Sequence, residues 1–406
     1  MSNALRTCDV LLPRADVDLS KWSVVACDQF TAQPDYWRRV EDIVGDAPSA
    51  LRVTLPEAWL SEAEARIPAI HATMREYLSG GVWETAVRDG FVLTERITAA
   101  GVRQGLLVCL DLEQYDFNPG SKSLIRPTEG TVISRVPPRA RIRAAAPVEL
   151  PHVMMLIDDP GCTVIEPLYE RRGAMRQLYD FELMQSGGHI RGWAVTGADA
   201  RCAFNAIDAL YQAADGLLYA VGDGNHSLAA ARQCWLDVRD SLTDAQREDH
   251  PARYAMVELV NLECPALRFE PIHRVLTGVE PVSLIDDYRA FLARSGADEG
   301  EGNDLVAFDA VHTWRFRSTQ HPLRLLQAFL DGYLADHPKA EIDYIHGADA
   351  LKQLVDRPDV IGFMPRAFDK SELFSYIRRW GVLPRKTFSM GEANEKRYYL
   401  EARKIK

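Results

Sequence analysis

Apolar residues follow two spacings along the chain. Unbroken runs predict strands buried on both faces, as in "VMMLI" (153–157) and "YAMVELV" (254–260). "WSVVACDQF" (22–30) reads as a buried strand with polar residues at its carboxyl end, and "HIRGWAVTG" (189–197) as another strand. "GFVLTERITAAGVRQGLLVCLDLEQYDF" (90–117) predicts two strands around a short turn at Ala99–Gly101. "DLVAFDAVHTWRFR" (304–317) also reads as strands. Helical spacing appears in "QPDYWRRVEDIVG" (33–45), "RCAFNAIDALYQAADG" (201–216) and "VSLIDDYRAFLARSG" (282–296). It appears again in "SEAEARIPAIHATMREYLSGG" (61–81), where Pro68 is expected to kink the helix. "EPLYERRGAMRQLYDFELM" (166–184) reads as helix, then strand.

The alternation predicts an α/β fold, with α+β as the alternative and most of the sheet in the first half. Three lobes are expected. The first, 1–150, is an α/β lobe with an arginine-rich loop. The second, 151–275, carries a strand–turn–helix unit, and the third, 276–406, is an α/β lobe with a polar tail. One stretch, 118–152, lacks periodicity and is rich in proline and arginine. It is expected to be a long stretch without regular structure, functional or disordered.

Charge narrows the function classes. At pH 7 the net charge is -11, which disfavours nucleic acid as a partner. Seven cysteines, with no CxxC pair, read as reduced thiols of a cytoplasmic protein. No apolar run reaches the length of a membrane span, and the first residues hold no signal-like apolar segment. A small-molecule ligand is the partner these features leave; the oligomeric state stays open.

The densest chemistry is in "YAVGDGNHSLAAAR" (219–232), where an apolar run ends in Gly-Asp-Gly-Asn-His-Ser and an alanine-rich helix begins. Gly222 and Gly224 would let the backbone turn and admit a ligand close to it. A helix opening at Asn225 or His226 would aim free N–H groups and its dipole at an anion. Asp223 could orient His226, hold a metal or activate a hydroxyl. His226 could donate to phosphate or move protons, and Ser227 could cap the helix or touch an oxyanion. The same residues are also ordinary turn and capping types. The motif is neither a Walker A loop nor a Rossmann fingerprint, and no GxSxG elbow accompanies it.

Other stretches offer partners. In "IRPTEGTVISRVPPRARIR" (125–143), Arg126 and Arg135 would neutralise phosphate, Thr128 would bind ligand, and Glu129 would act as a base or hold Mg²⁺. Arg141 and Arg143 suit ion pairs with carboxylates on a solvated ribbon. Asp28 and Gln29 stand at an expected strand end, where Asp28 would bind Mg²⁺ or an amine and Gln29 would read the ligand. Cys27 has nothing nearby to lower its pKa. Gly187, Gly188 and His189 suit a hinge or a hairpin turn. In the tail, Lys386 would meet phosphate as a point charge, ahead of Arg385, Ser389, Glu392, Asn394 and Lys396. His152, His226 and His273 have no metal-ligand spacing, so a transition metal is not expected; Mg²⁺ held by Asp223 or Glu129 is the ion that fits.

Several long segments together resemble the domain of unknown function 1015 family over nearly the whole chain. They include "VVACDQFTAQPDYW", "IRPTEGTVISRVPPRARIR", "ELPHVMMLIDDP", "GGHIRGW", "FEPIHRVL" and "LPRKTFSMGEANEKRYYLE", with the motif above. Other branches of that family carry Asp-Gly-His-His-Arg at the motif. That version is similar to an element of the ParB and sulfiredoxin superfamily. The resemblance implies a mixed-sheet core of that kind, with Gly224 and His226 holding phosphate. It implies ATP or ADP as cofactor and a link to serine or phosphoserine. Here Ser227 replaces the arginine, which removes a bidentate clamp. The expectation is an enzyme of phosphoryl transfer or hydrolysis. Asp223, His226 and Glu129 would be catalytic, with ligand held by Gly222, Gly224, Asn225, Ser227, Arg126, Thr128, Asp28, Gln29 and Lys386. The alternatives are a non-catalytic nucleotide- or amino-acid-binding module and, disfavoured by charge, a ParB-like DNA-associated protein.

Overall fold

The apolar hairpin expected over 90–117 is the middle of a mixed sheet. In the computed structural model, which describes residues 3–296, 300–317 and 321–406, strands Trp83–Thr98 and Gly101–Asp111 pair antiparallel, Thr98 facing Gly101. Alternate residues face opposite cores. Val92, Leu107 and Cys109 belong to one apolar cluster, while Phe91, Leu93, Leu106, Val108 and Leu110 belong to another. Covering both faces is why the middle of each strand, "FVL" (91–93) and "LLVCL" (106–110), reads as an unbroken apolar run. Each fully buried Leu, Val or Phe contributes about 1.5–3 kcal/mol.

The chain divides into two compact units, Met1–Leu267 with Gly391–Lys406, and Arg268–Met390. In the first, the sheet runs Ile125–Pro127, Tyr219–Asp223, Met154–Ile157, Tyr254–Asn261, Gly101–Asp111, Trp83–Thr98, Gly188–Val195, Gln177–Leu183. Tyr219–Asp223 is parallel to Ile125–Pro127 and antiparallel to Met154–Ile157. The fold is thus α/β with a large mixed sheet. In the second unit, the strand Phe269–Thr277 pairs antiparallel with Glu341–His346, Val360–Pro365 and Phe388–Met390. Helices Pro281–Arg294 and Pro322–Asp336 contribute Leu284, Tyr288, Leu326 and Leu330 to its core.

Two expectations change. The stretch 118–152 is not structureless: it holds the strand Ile125–Pro127 and a helix, Val136–Ala144. Pro137 and Pro138 stand in that helix's first turn, where no intrahelical N–H is lost. "WSVVACDQF" forms only a two-residue strand, Val24–Val25, paired with Tyr398–Tyr399. The expected helix over 61–81 forms as Ala63–Ser79, with Pro68 inside it.

Candidate functional site

The expected strand–turn–helix unit forms: strand Tyr219–Asp223, Gly224, then helix Asn225–Arg239. The two glycines do different work. Gly224 has φ +76°, and a Cβ there would lie 3.0 Å from the Val153 Cα. Only glycine suits both demands. Gly222 stays in the strand, at a register irregularity where Val221 faces Met155 and Asp223 faces Met154. The bulge re-aims Asp223, so Gly222 turns the strand without a left-handed backbone.

The main-chain N–H groups of Asn225 and His226 have no partner among the described residues, whereas those of Ser227 and Leu228 both reach the Gly224 carbonyl, at 3.0 and 3.1 Å. Gly222, Asp223, Asn225, His226 and Ser227 are all half-buried, so the corner is not packed shut. Asp223 Oδ1 accepts from the Gly224 N–H at 2.9 Å, and Oδ2 pairs with Lys396 Nζ at 3.2 Å. Burial pushes this carboxyl up, but the charge and hydrogen bond of Lys396 override it and hold Asp223 below its ordinary value. Asp223 is therefore ionised near neutrality.

His226 Nε2 accepts from the Val132 N–H at 3.1 Å, which assigns its proton to Nδ1 and leaves Nδ1–H as a donor. Burial, then the charges of Arg139 and Arg135, lowers its pKa to about 4. The imidazole is neutral at pH 7, a donor and not a cation.

Asn225 is spent on structure. Its Oδ1 accepts from the Tyr115 hydroxyl at 2.8 Å, and its Nδ2 donates to Thr131 Oγ1 at 2.8 Å and the Glu129 carbonyl at 3.4 Å. With the Val132–His226 bond, these clamp segment 128–132 over the helix start. Ser227 Oγ lies 3.0 Å from His152 Nε2, and the Tyr399 hydroxyl is 2.9 Å from His152 Nδ1. Burial lowers the His152 pKa, against the opposing pull of Asp28 and Asp223. Asp28 thus acts on the site through its charge and accepts from Gln29 Nε2 at 3.0 Å.

Other expected residues lie elsewhere or serve the backbone. Arg126 is buried and donates to the carbonyls of Gly216 and Ser121, at 3.1 and 3.4 Å. Gly216 precedes the amino end of the site strand, so this guanidinium points away from residues 223–227. Thr128 Oγ1 donates to the Val221 carbonyl at 2.8 Å. The Glu129 side chain is half-buried, beside the clamp its carbonyl serves. Lys386, with φ +57°, belongs to the second unit, in the turn before strand Phe388–Met390. Burial raises the Cys27 thiol to about 12, which removes it as a nucleophile at neutral pH. Arg139 pairs with Glu57, so it is no free surface cation. Among the described residues no group of three or more His, Cys, Asp or Glu is placed to hold a metal.

Sequence reasoning ranked Lys396 low and gave Tyr115, Thr131 and Tyr399 no place. Lys396 is the cation paired with Asp223, and "KRYY" at 396–399 was the available signal: a cation beside three residues that bury.

A mixed-sheet α/β unit with an ionised acid–lysine pair at a helix start is the class of structure these features define. The chain matches the family described as protein of unknown function (DUF1015) over residues 10–342, and it belongs to that family. No curated protein matches it. Among solved structures it is similar to a free serine kinase in complex with AMP, at 10% identity and TM-score 0.39, covering 74% of this chain and 92% of that one. It is also similar to a conserved hypothetical protein from Pyrococcus furiosus, at 11% identity and TM-score 0.35, covering 72% and 90%. A third is SbnI with C-terminal truncation from Staphylococcus aureus, at 8% identity and TM-score 0.37, covering 70% and 83%. Among the described residues no helix is long and apolar enough to cross a membrane.

Proposed function

We propose that the chain binds a nucleotide or phosphorylated small molecule at the start of helix Asn225–Arg239 and transfers or hydrolyses its phosphoryl group. The observation that carries this is the pair of unpartnered N–H groups at Asn225 and His226, beside the ionised Asp223–Lys396 pair. Two amide donors at a positive helix end, a neutral imidazole donating from Nδ1 and an adjacent ammonium form an anion-holding set. In this reading Lys396 takes the charge-offsetting role expected of Arg126 and Lys386. Asp223, kept as a carboxylate, accepts the proton of an attacking hydroxyl or water, and Glu129 is the alternative base. Asp223 uses one lone pair of each oxygen, so it retains capacity for an ion arriving with ATP or ADP. Asp223 or Glu129 would hold Mg²⁺, which would offset phosphate charge.

A non-catalytic binding module is favoured by one observation: Asn225 and Ser227 are committed to protein partners and leave fewer groups for chemistry. Phosphorus NMR of the full chain separates the readings. ATP or ADP is supplied with Mg²⁺ and with serine, phosphoserine or water as acceptor or donor. Turnover that falls at least about 100-fold in His226→Ala and Lys396→Met is the expected result. Saturable binding without turnover would leave the module, and neither would overturn both.

A further inference from the structure

Ser227 follows directly on Asn225 and His226, whose main-chain N–H groups have no partner among the described residues. It is half-buried and lines a cavity of about 140 Å³ together with Cys27, His152 and Tyr399. Its Oγ lies 3.0 Å from His152 Nε2, so the group that engages this hydroxyl is itself a base.

The far side of the imidazole decides which nitrogen can accept. The Tyr399 hydroxyl is hydrogen-bonded to the Cys27 sulfur, which takes the phenol proton. The phenol oxygen accepts from the Cys27 N–H at 3.3 Å and keeps a lone pair for His152 Nδ1, 2.9 Å away. This assigns the His152 proton to Nδ1 and leaves Nε2 to accept from Ser227. Burial lowers the His152 pKa, so the ring is neutral at pH 7 and able to take a proton. The charges of Asp28 and Asp223 act the other way, against Arg139 and Arg397, and would stabilise the imidazolium once it forms. A hydroxyl within hydrogen-bond reach of a base, with the base oriented by a third group, is the arrangement of covalent catalysis.

We propose that Ser227 is the nucleophile of the phosphoryl reaction and carries the phosphoryl group, as phosphoserine, between donor and acceptor. The proposal rests on the phosphoryl function above and adds its route. Ser227 Oγ attacks the phosphorus of the donor and gives its proton to His152 Nε2. The bond from phosphorus to the donor's leaving oxygen breaks, and its electron pair stays on that oxygen. The Asn225 and His226 N–H groups hold the phosphoryl oxygens during this step. In the second displacement, the acceptor hydroxyl or water loses its proton to Asp223 and attacks the same phosphorus. Ser227 Oγ leaves with its bonding pair and recovers the proton from His152.

The test mixes the full chain and Mg²⁺ with ATP, ADP or phosphoserine, without added acceptor, and quenches in acid, which phosphoserine survives. Peptide mass should show one phosphoryl group on Ser227. Ser227→Ala should abolish this label and lower turnover at least about 100-fold. His152→Ala should slow labelling by a similar factor, and free imidazole should restore it. A cavity of about this size admits a ring as large as benzene, and a merely structural histidine would not be rescued in this way. Ser227→Ala removes one oxygen only, so it stays informative if His152→Ala does not fold. Three results would overturn this inference and leave the phosphoryl function standing: Ser227→Ala turning over at the wild-type rate, wild-type turnover with no phosphoserine at 227, or a folded His152→Ala whose labelling is not slowed or is not restored by imidazole. Neither turnover nor label with any donor would overturn both.

Discussion

Gly224 is where one residue's backbone decides whether the site exists. Its positive φ and the Val153 backbone 3.0 Å from any added Cβ leave alanine strained on two counts. Gly224→Ala is expected to cost about 1–3 kcal/mol. A thermal or urea melt reads it, and an unchanged midpoint would mean that the turn relaxes freely. This residue was legible because its neighbours demanded a turn before a helix. Arg126 was not. Its type suited phosphate, but a parallel strand pairing turned it to the Gly216 and Ser121 carbonyls, and that pairing is set by residues some 90 positions away. Lys396 failed to stand out for the same reason. The "KRYY" run says only that buried residues follow; what brings Lys396 to Asp223 is the pairing of Tyr398–Tyr399 with Val24–Val25, which anchors the segment beside it.

At the scale of elements, the helix start and segment 128–132 form one device through Asn225. Replacing that amide removes the acceptor of the Tyr115 hydroxyl and the donor to Thr131 and Glu129. Asn225→Ala should leave the helix standing, since its buried face of Leu228, Ala229, Ala231 and Trp235 is untouched. The clamp should weaken by about 1–3 kcal/mol, the cost of leaving a buried partner unsatisfied. Amide exchange at Val132, whose N–H is held by His226, should then speed by at least about tenfold, while the interior of helix Asn225–Arg239 keeps its protection. Equal loss in both would show that the amide holds the helix itself. The helix and strand of this unit were readable from the change from an apolar run to helical spacing. The clamp was not, because the 118–152 stretch shows no period; its one helix begins at Val136 with two prolines in its first turn and only that residue buried.

Across the whole first unit, the segment 391–406 returns to close a core begun almost 400 residues earlier. It does so through buried charge. Arg397 is 3% exposed and lies 3.1 Å from Glu258, a residue in the middle of strand Tyr254–Asn261; it also pairs with Glu401. Thr94 donates to Glu258 at 2.9 Å, from the neighbouring part of the sheet. Burial alone would raise the Glu258 carboxyl. Arg397, then Arg103 and Thr94, outweigh that and lower its pKa to about 2. A carboxyl depressed in the folded state contributes stability that is fully present above its unfolded pKa, about 4.5, and is lost as pH falls from there towards about 2. Glu258→Gln keeps the shape, removes the charge and leaves Arg397 and Arg103 short of a partner. It should destabilise the protein by about 3–5 kcal/mol near neutral pH. Because the ionised carboxylate supplies that difference, the gap between wild type and variant in urea midpoint should stay level from pH 7 to 5 and narrow by pH 3. A gap that persists undiminished at pH 3 would mean that shape and hydrogen bonding at Thr94, not charge, tie the returning segment to the sheet.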